Sequence, residues 1–144
     1  MVENTGAGST VDFAKLAGKK ILIVEDDAFL HNLLADKLEL LRKNGIEVFP
    51  TFSGKEALEK AKEVRPDIVL LDVVLPGMNG FEVLEALRKD PDLKNVSVII
   101  LSNLNQDKDK QRAKELGVTD YMVKANFMLE ELVERIVTIL ERGK

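Results

Sequence analysis

Four short apolar runs recur along this chain, each closed by a reactive polar residue and separated from the next by helix-period segments. Ile21-Leu22-Ile23-Val24 runs into Glu25-Asp26, residues 67–71 into Asp72, residues 96–101 into Ser102, and residues 120–123 into Lys124. Continuous apolar runs of this length suit strands covered on both faces. Residues 46–52 supply a further strand, and Pro50 within it cannot donate to a ladder, which assigns that strand to a sheet edge. Strand and helix thus alternate as βα repeated five times, the pattern of a parallel sheet with helices on both faces.

The helices carry their own signals. Asp27 is placed to cap the first, whose Leu30, Leu33, Leu34, Leu38 and Leu41 recur at helical spacing up to Asn44-Gly45. His31 lies off that leucine stripe and is expected at a solvated position. Ser53 with Glu56 reads as a capping box for a helix reaching about Val64, and Asn79 with Glu82 starts another that stops near Asp90-Pro91. A very polar helix over 105–116 ends at Gly117, and an amphipathic one closes the domain from Phe127 to about Leu140. The run Asp107-Lys108-Asp109-Lys110 in the polar helix reads as a solvated face. Residues 1–9 are small and polar and read as a disordered leader, whereas 10–20 holds Val11, Phe13, Ala14 and Leu16, enough for one or two helical turns packed on the domain. The expected organisation is a partly disordered leader over 1–19 and one globular domain over 20–142.

Composition narrows the chemistry. The 144 residues include no cysteine, no tryptophan, one tyrosine and one histidine. Disulfides, thiolate metal sites and cysteine nucleophiles are excluded, and a zinc site needing two imidazoles cannot be built within one chain. The net charge of −4 argues against direct nucleic-acid binding. No apolar run approaches a membrane span and no secretory signal opens the chain, which points to the cytoplasm.

In open α/β sheets, ligands bind beyond the carboxyl ends of the strands. If the first and third strands are neighbours, Glu25, Asp26 and Asp72 converge there. Like charges so close push one carboxyl to protonate unless a cation sits among them. Lys124 supplies one positive charge, and a hard divalent ion such as Mg2+ would supply the rest through oxygen ligands. Metal and lysine together offset charge on a phosphoryl group, a hydroxyl such as Ser102 can hydrogen-bond it, and a carboxylate can be its nucleophile.

The motifs Val24-Glu25-Asp26-Asp27, Leu71-Asp72-Val73-Val74-Leu75-Pro76-Gly77-Met78-Asn79-Gly80, Val98-Ile99-Ile100-Leu101-Ser102 and Asp120-Tyr121-Met122-Val123-Lys124, in that order, resemble the receiver domain of bacterial response regulators, including single-domain receivers of the chemotaxis type. The resemblance spans about residues 20–142. It implies a flavodoxin-like (βα)5 doubly wound fold with strand order 2-1-3-4-5, which places the second strand at an edge, as Pro50 does independently. It implies Asp72 as the phospho-acceptor and Mg2+ held by Asp26, Asp72 and the Val74 backbone carbonyl, with Glu25 acting through a metal-bound water. Ser102 and Lys124 would contact the phosphoryl group, and Ser102 and Tyr121 would act as switch residues. The implied donor is a phosphohistidine on a sensor histidine kinase or histidine phosphotransfer protein. The domain would catalyse its own phosphorylation and slow hydrolysis, and signal to a downstream protein through the fourth helix, fifth strand and fifth helix. No membrane partner is implied.

Several positions depart from the family pattern. Ala125 replaces the proline after the lysine, where the family bond is typically cis; a cis bond before a non-proline residue costs roughly 2.5–4 kcal/mol, which leaves a trans, redrawn loop or a strained cis one. Asn103 replaces a small residue beside the switch hydroxyl and narrows access to Asp72. Glu25 and Asn79 each replace an aspartate. Val74 and Leu104 stand where side chains orient the hydrolytic water, and being apolar they predict a long-lived phosphorylated state. Ala125 and Asn103 motivate the alternative of a pseudo-receiver, a phosphorylation-independent interaction module. A haloacid-dehalogenase-like phosphatase would need an acid at position 74. An FMN binder would need a Ser/Thr/Gly-rich loop in place of Glu25-Asp26-Asp27. A chain that ends at Lys144, just past the closing helix, is read as either a stand-alone receiver or a piece of a longer protein.

Overall fold

The computed structural model describes residues 2–4, 10–104, 106–125 and 128–142. Its centre is a five-stranded parallel sheet formed by β3 (Lys20–Val24), β4 (Glu47–Thr51), β5 (Ile68–Leu71), β6 (Ser97–Ser102) and β7 (Asp120–Val123). The spatial order is β4-β3-β5-β6-β7. Counting β3 as the first strand of the repeat, this is the expected 2-1-3-4-5. Pro50 lies on the edge strand β4, opposite Ile23, where its missing N–H costs no ladder bond.

The apolar runs bury both faces of the sheet. Ile21, Ile23, Ile68, Leu70, Ile99 and Leu101 point into one layer, with Leu34, Leu38, Leu132 and Ile136. The alternate residues Leu22, Val24, Val69, Leu71, Val98 and Ile100 enter the other, with Ala57, Ala61, Leu84 and Leu87. The first layer is covered by α1 (Ala28–Lys37), α2 (Glu39–Lys43) and α6 (Leu129–Glu141), the second by α3 (Gly54–Val64), α4 (Gly80–Lys89) and α5 (Asp107–Glu115). Residues Asn105 and Phe127, expected as helix starts, lie outside the described residues.

Local signals act largely as expected. The Asp27 carboxylate caps α1 by accepting from the Phe29 N–H at 2.9 Å and the Leu30 N–H at 3.3 Å. Asn79 and Glu82 form a reciprocal capping box on α4. At α3, Ser53 accepts from the Glu56 N–H, but the Glu56 carboxylate reaches one residue further back, to the Phe52 N–H at 2.8 Å.

Two features differ from expectation. The first predicted helix is divided at Leu38, whose φ of −88° and ψ of 0° lie at the edge of the right-handed helical region. The hydrogen bonds from the Leu38 N–H to Leu34 O and from the Arg42 N–H to Leu38 O run through the junction, so the divide is a one-residue bend that keeps Leu34, Leu38 and Leu41 buried. In the leader, residues 1 and 5–9 lie outside the described residues, and β1 (Val2–Asn4) pairs antiparallel with β2 (Thr10–Asp12). The helical turn expected after it is present as a 3-10 turn at Phe13–Leu16, which places Phe13 and Leu16 in the first core layer.

Candidate functional site

Parallel register sets the site. The ladder continues one residue past two strands: the Glu25 N–H donates to Thr51 O at 3.1 Å and the Asp72 N–H to Val24 O at 3.0 Å. Glu25 and Asp72 therefore leave the sheet side by side, both nearly buried at 2% and 4% exposure. The Lys124 N–H donates to Ser102 O at 2.9 Å, which brings the lysine to the same edge from β7. Its ammonium lies 2.8 Å from Glu25 Oε1 and 3.0 Å from Asp72 Oδ2. The remaining carboxylate oxygens take backbone donors. Glu25 Oε2 accepts from the Asp27 N–H at 3.0 Å, and Asp72 Oδ1 accepts from the Val74 N–H at 3.1 Å.

Asp26 is exposed beside them, and ligand atoms of Glu25, Asp26 and Asp72 all lie within 4.8 Å of one another. One lysine faces this group of acids, an imbalance that raises the energy of the ionised set. Burial pushes the Glu25 carboxyl above its ordinary range against the opposing pull of Lys124. Burial alone would lower the Lys124 ammonium, but its contacts with Glu25 and Asp72 outweigh this and hold it higher. An all-oxygen donor set with excess negative charge fits a hard divalent cation such as Mg2+.

Ser102 is fully buried, and its Oγ accepts from the Leu104 N–H at 3.1 Å. The Tyr121 hydroxyl donates to Leu104 O at 2.7 Å, so the two expected switch residues hold opposite groups of one residue. Burial raises the Tyr121 hydroxyl, with Asp109 adding to the effect. Val74 is 58% exposed at the mouth. Among the described residues no peptide bond is cis, so the Lys124–Ala125 bond takes the trans arrangement.

Two contributors stand outside the expected site residues. Gly80 lets the start of α4 approach the end of β5: a Cβ there would lie 2.3 Å from Asp72 O and 2.6 Å from Val73 Cα. His31, expected in solvent, is only 6% exposed, with its Nε2 3.0 Å from Thr51 O and its ring stacked 4.1 Å from that of Phe52. The signal was present: His31, Leu34, Leu38 and Leu41 are the buried positions of this segment, and their spacing is as helical as that of the leucines alone.

A model of the family described as response regulator receiver domain matches residues 21–137. The chain belongs to that family. Among curated relatives, the receiver is 36% identical over 126 residues to the alkaline phosphatase synthesis transcriptional regulatory protein PhoP of Bacillus subtilis (strain 168), covering 88% of this chain and 50% of the relative. It is 38% identical over 125 residues to the DNA-binding response regulator MtrA of Mycobacterium leprae, covering 87% and 52%. The chain thus spans about half the length of these relatives. Among solved structures, the receiver domain of the Francisella response regulator 1452 superposes with a TM-score of 0.77 at 32% identity, covering 88% of this receiver and all of that chain (100%). The Vibrio cholerae chemotaxis protein CheY4 superposes with a TM-score of 0.75 at 31% identity, covering 85% and 99%. Among the described residues, no helix of the receiver is long and apolar enough to cross a membrane.

Proposed function

We propose that this receiver accepts a phosphoryl group on Asp72 from a phosphohistidine, in a Mg2+-dependent reaction, and switches its binding to a downstream protein. The observation that carries the reading is the pairing of Lys124 with both Glu25 and Asp72 at the strand ends of a receiver fold. An Asp72 oxygen attacks phosphorus and the P–N bond to the donor imidazole breaks. The bonding pair leaves on that nitrogen, and Asp72 becomes an acyl phosphate. Asp26, Asp72 and the Val74 carbonyl would hold Mg2+, with Glu25 behind them, and the ion would supply positive charge to the phosphoryl oxygens. Lys124, now 3.0 Å from Asp72 Oδ2, would exchange that contact for one with the transferred group. Ser102 would give up Leu104 to bind it as well, which loosens the residue that Tyr121 also holds.

A sensor histidine kinase or histidine phosphotransfer protein is the proposed donor, which assigns the domain to the cytoplasm. The proposed output face is α5, β7 and α6. The exposed, apolar Val74 offers no hydrogen bond to a hydrolytic water, so the acyl phosphate is expected to be long-lived. Intact mass after incubation with Mg2+ and acetyl phosphate tests the reading. A gain of one phosphoryl group in the parent, absent in Asp72→Asn and absent in EDTA, is expected. No gain in a protein shown separately to bind Mg2+ would favour the pseudo-receiver.

A further inference from the structure

The sole histidine of the chain is buried on the inner side of α1, directly behind the acidic loop. Its Nε2 lies 3.0 Å from Thr51 O, and since a carbonyl oxygen only accepts, Nε2 carries the proton. The same oxygen accepts from the Glu25 N–H at 3.1 Å. Thr51 is itself fixed: it is fully buried, and its Oγ1 donates to Ile23 O at 2.7 Å across the β3–β4 ladder. On the other flank of the loop, the His31 N–H donates to Asp27 O at 3.0 Å, and the Asp27 carboxylate caps the helix. Residues 25–27 therefore form a closed span. One end is tied to Thr51 O through the backbone of Glu25, and the other returns to that oxygen through α1 and the His31 ring. Phe52 stacks on the imidazole at 4.1 Å and 38°, which limits its rotation.

We propose that His31 is a positioning residue for the metal site: its Nε2–H bond to Thr51 O pins the start of α1 to the end of β4 and so fixes the direction in which Glu25 and Asp26 present their oxygens. The inference rests on the reading that these acids hold a divalent cation. A leucine at position 31 fills similar space without a donor, and a glutamine restores an N–H at the reach of Nε2. Outer-shell partners of metal ligands typically contribute 10–100-fold in affinity. Because His31 acts through backbone, the lower end applies.

The test is a Mg2+ titration of the full chain followed by the Glu25 and Asp26 amide resonances, with amide exchange measured in EDTA. His31→Leu is expected to weaken Mg2+ binding about tenfold, and His31→Gln to restore most of it. In EDTA, the Glu25 amide of His31→Leu should exchange faster while that of Leu70, in mid-sheet, keeps its protection. Unchanged Mg2+ affinity in His31→Leu overturns the proposal. So does a joint loss of Glu25 and Leu70 protection that glutamine fails to rescue, which is the mark of a merely structural role. Should the leucine variant not fold, the wild-type protein still decides. Its single Nε2–H must appear as a slowly exchanging proton resonance in EDTA, and its absence overturns the proposal. If the wild-type protein binds no Mg2+, the metal reading fails, while the exchange data still judge the pinning by His31.

Discussion

Replacing Lys124 by methionine removes the cation that Glu25 and Asp72 share while keeping most of the aliphatic stem. The side chains of those two acids are 3% and 5% exposed and that of the lysine 19%, so solvent cannot fully take over its role. Removing one partner from a buried ion pair costs roughly 3–5 kcal/mol. The partial exposure of Lys124 admits some water and places the expected loss in metal-free protein at about 3 kcal/mol. For a chain of this size that corresponds to a fall in Tm of about 6–12 °C. Urea melts in EDTA measure it. Mg2+ at one hundred times its Kd stabilises by about 2.7 kcal/mol through mass action alone. In the variant the ion also answers the charge that Lys124 balanced, so saturating Mg2+ should recover more stability there than in the parent. A loss under about 1 kcal/mol in EDTA, with equal Mg2+ responses in parent and variant, would refute the reasoning that Lys124 neutralises a buried acidic pair.

Further outcomes follow from neighbouring contacts. Burial raises the Glu25 carboxyl above its ordinary value in the folded protein, so protonation is more favourable there than in the unfolded chain. Its contribution is present in full below the unfolded value and is lost as pH rises through the folded one. Glu25→Gln should therefore flatten the fall in metal-free stability as pH rises from about 4.5 toward neutral, measured by urea melts in EDTA across that window. Gly80→Ala would ordinarily gain about 1 kcal/mol in a helix. Here its Cβ meets Asp72 O at 2.3 Å and Val73 Cα at 2.6 Å, both backbone, so a loss of about 3 kcal/mol and slower phosphorylation are expected from melts and mass kinetics. Phe13→Ala opens a void in the first core layer, and urea unfolding should show a loss of about 3–5 kcal/mol although the residue precedes the family match.

Legibility in the sequence varied with the kind of physics involved. Strand identity and the polar residue at each strand end were legible because each depends on a run of apolar residues and on what ends it, whereas the strand order that makes Glu25, Asp72 and Lys124 meet was implied by the family resemblance. Pro50 carried the edge position through one missing donor. A leucine stripe alone misplaces His31, because its burial depends on the Thr51 carbonyl that receives its imidazole N–H, a partner that lies 20 residues away. Gly80 reads locally as a turn and helix-start residue; the closeness of Asp72 O that demands it is a tertiary fact. The bend at Leu38 leaves the buried stripe intact, so no pattern of side chains announces it. The Phe13–Leu16 turn was legible from its apolar residues, whereas the pairing of Val2–Asn4 with Thr10–Asp12 was not, since neither segment carries a strand-length apolar pattern.

The most direct test of the central claim is the position of the phosphoryl group. After incubation with acetyl phosphate and Mg2+, borohydride reduction converts an aspartyl phosphate to homoserine, and peptide mass spectrometry locates the change. Conversion is expected at Asp72 alone, with Asp26 and Glu25 unmodified and no conversion when Mg2+ is withheld. Conversion at any other residue, or none at Asp72 in a protein that gains a phosphoryl group, would contradict it.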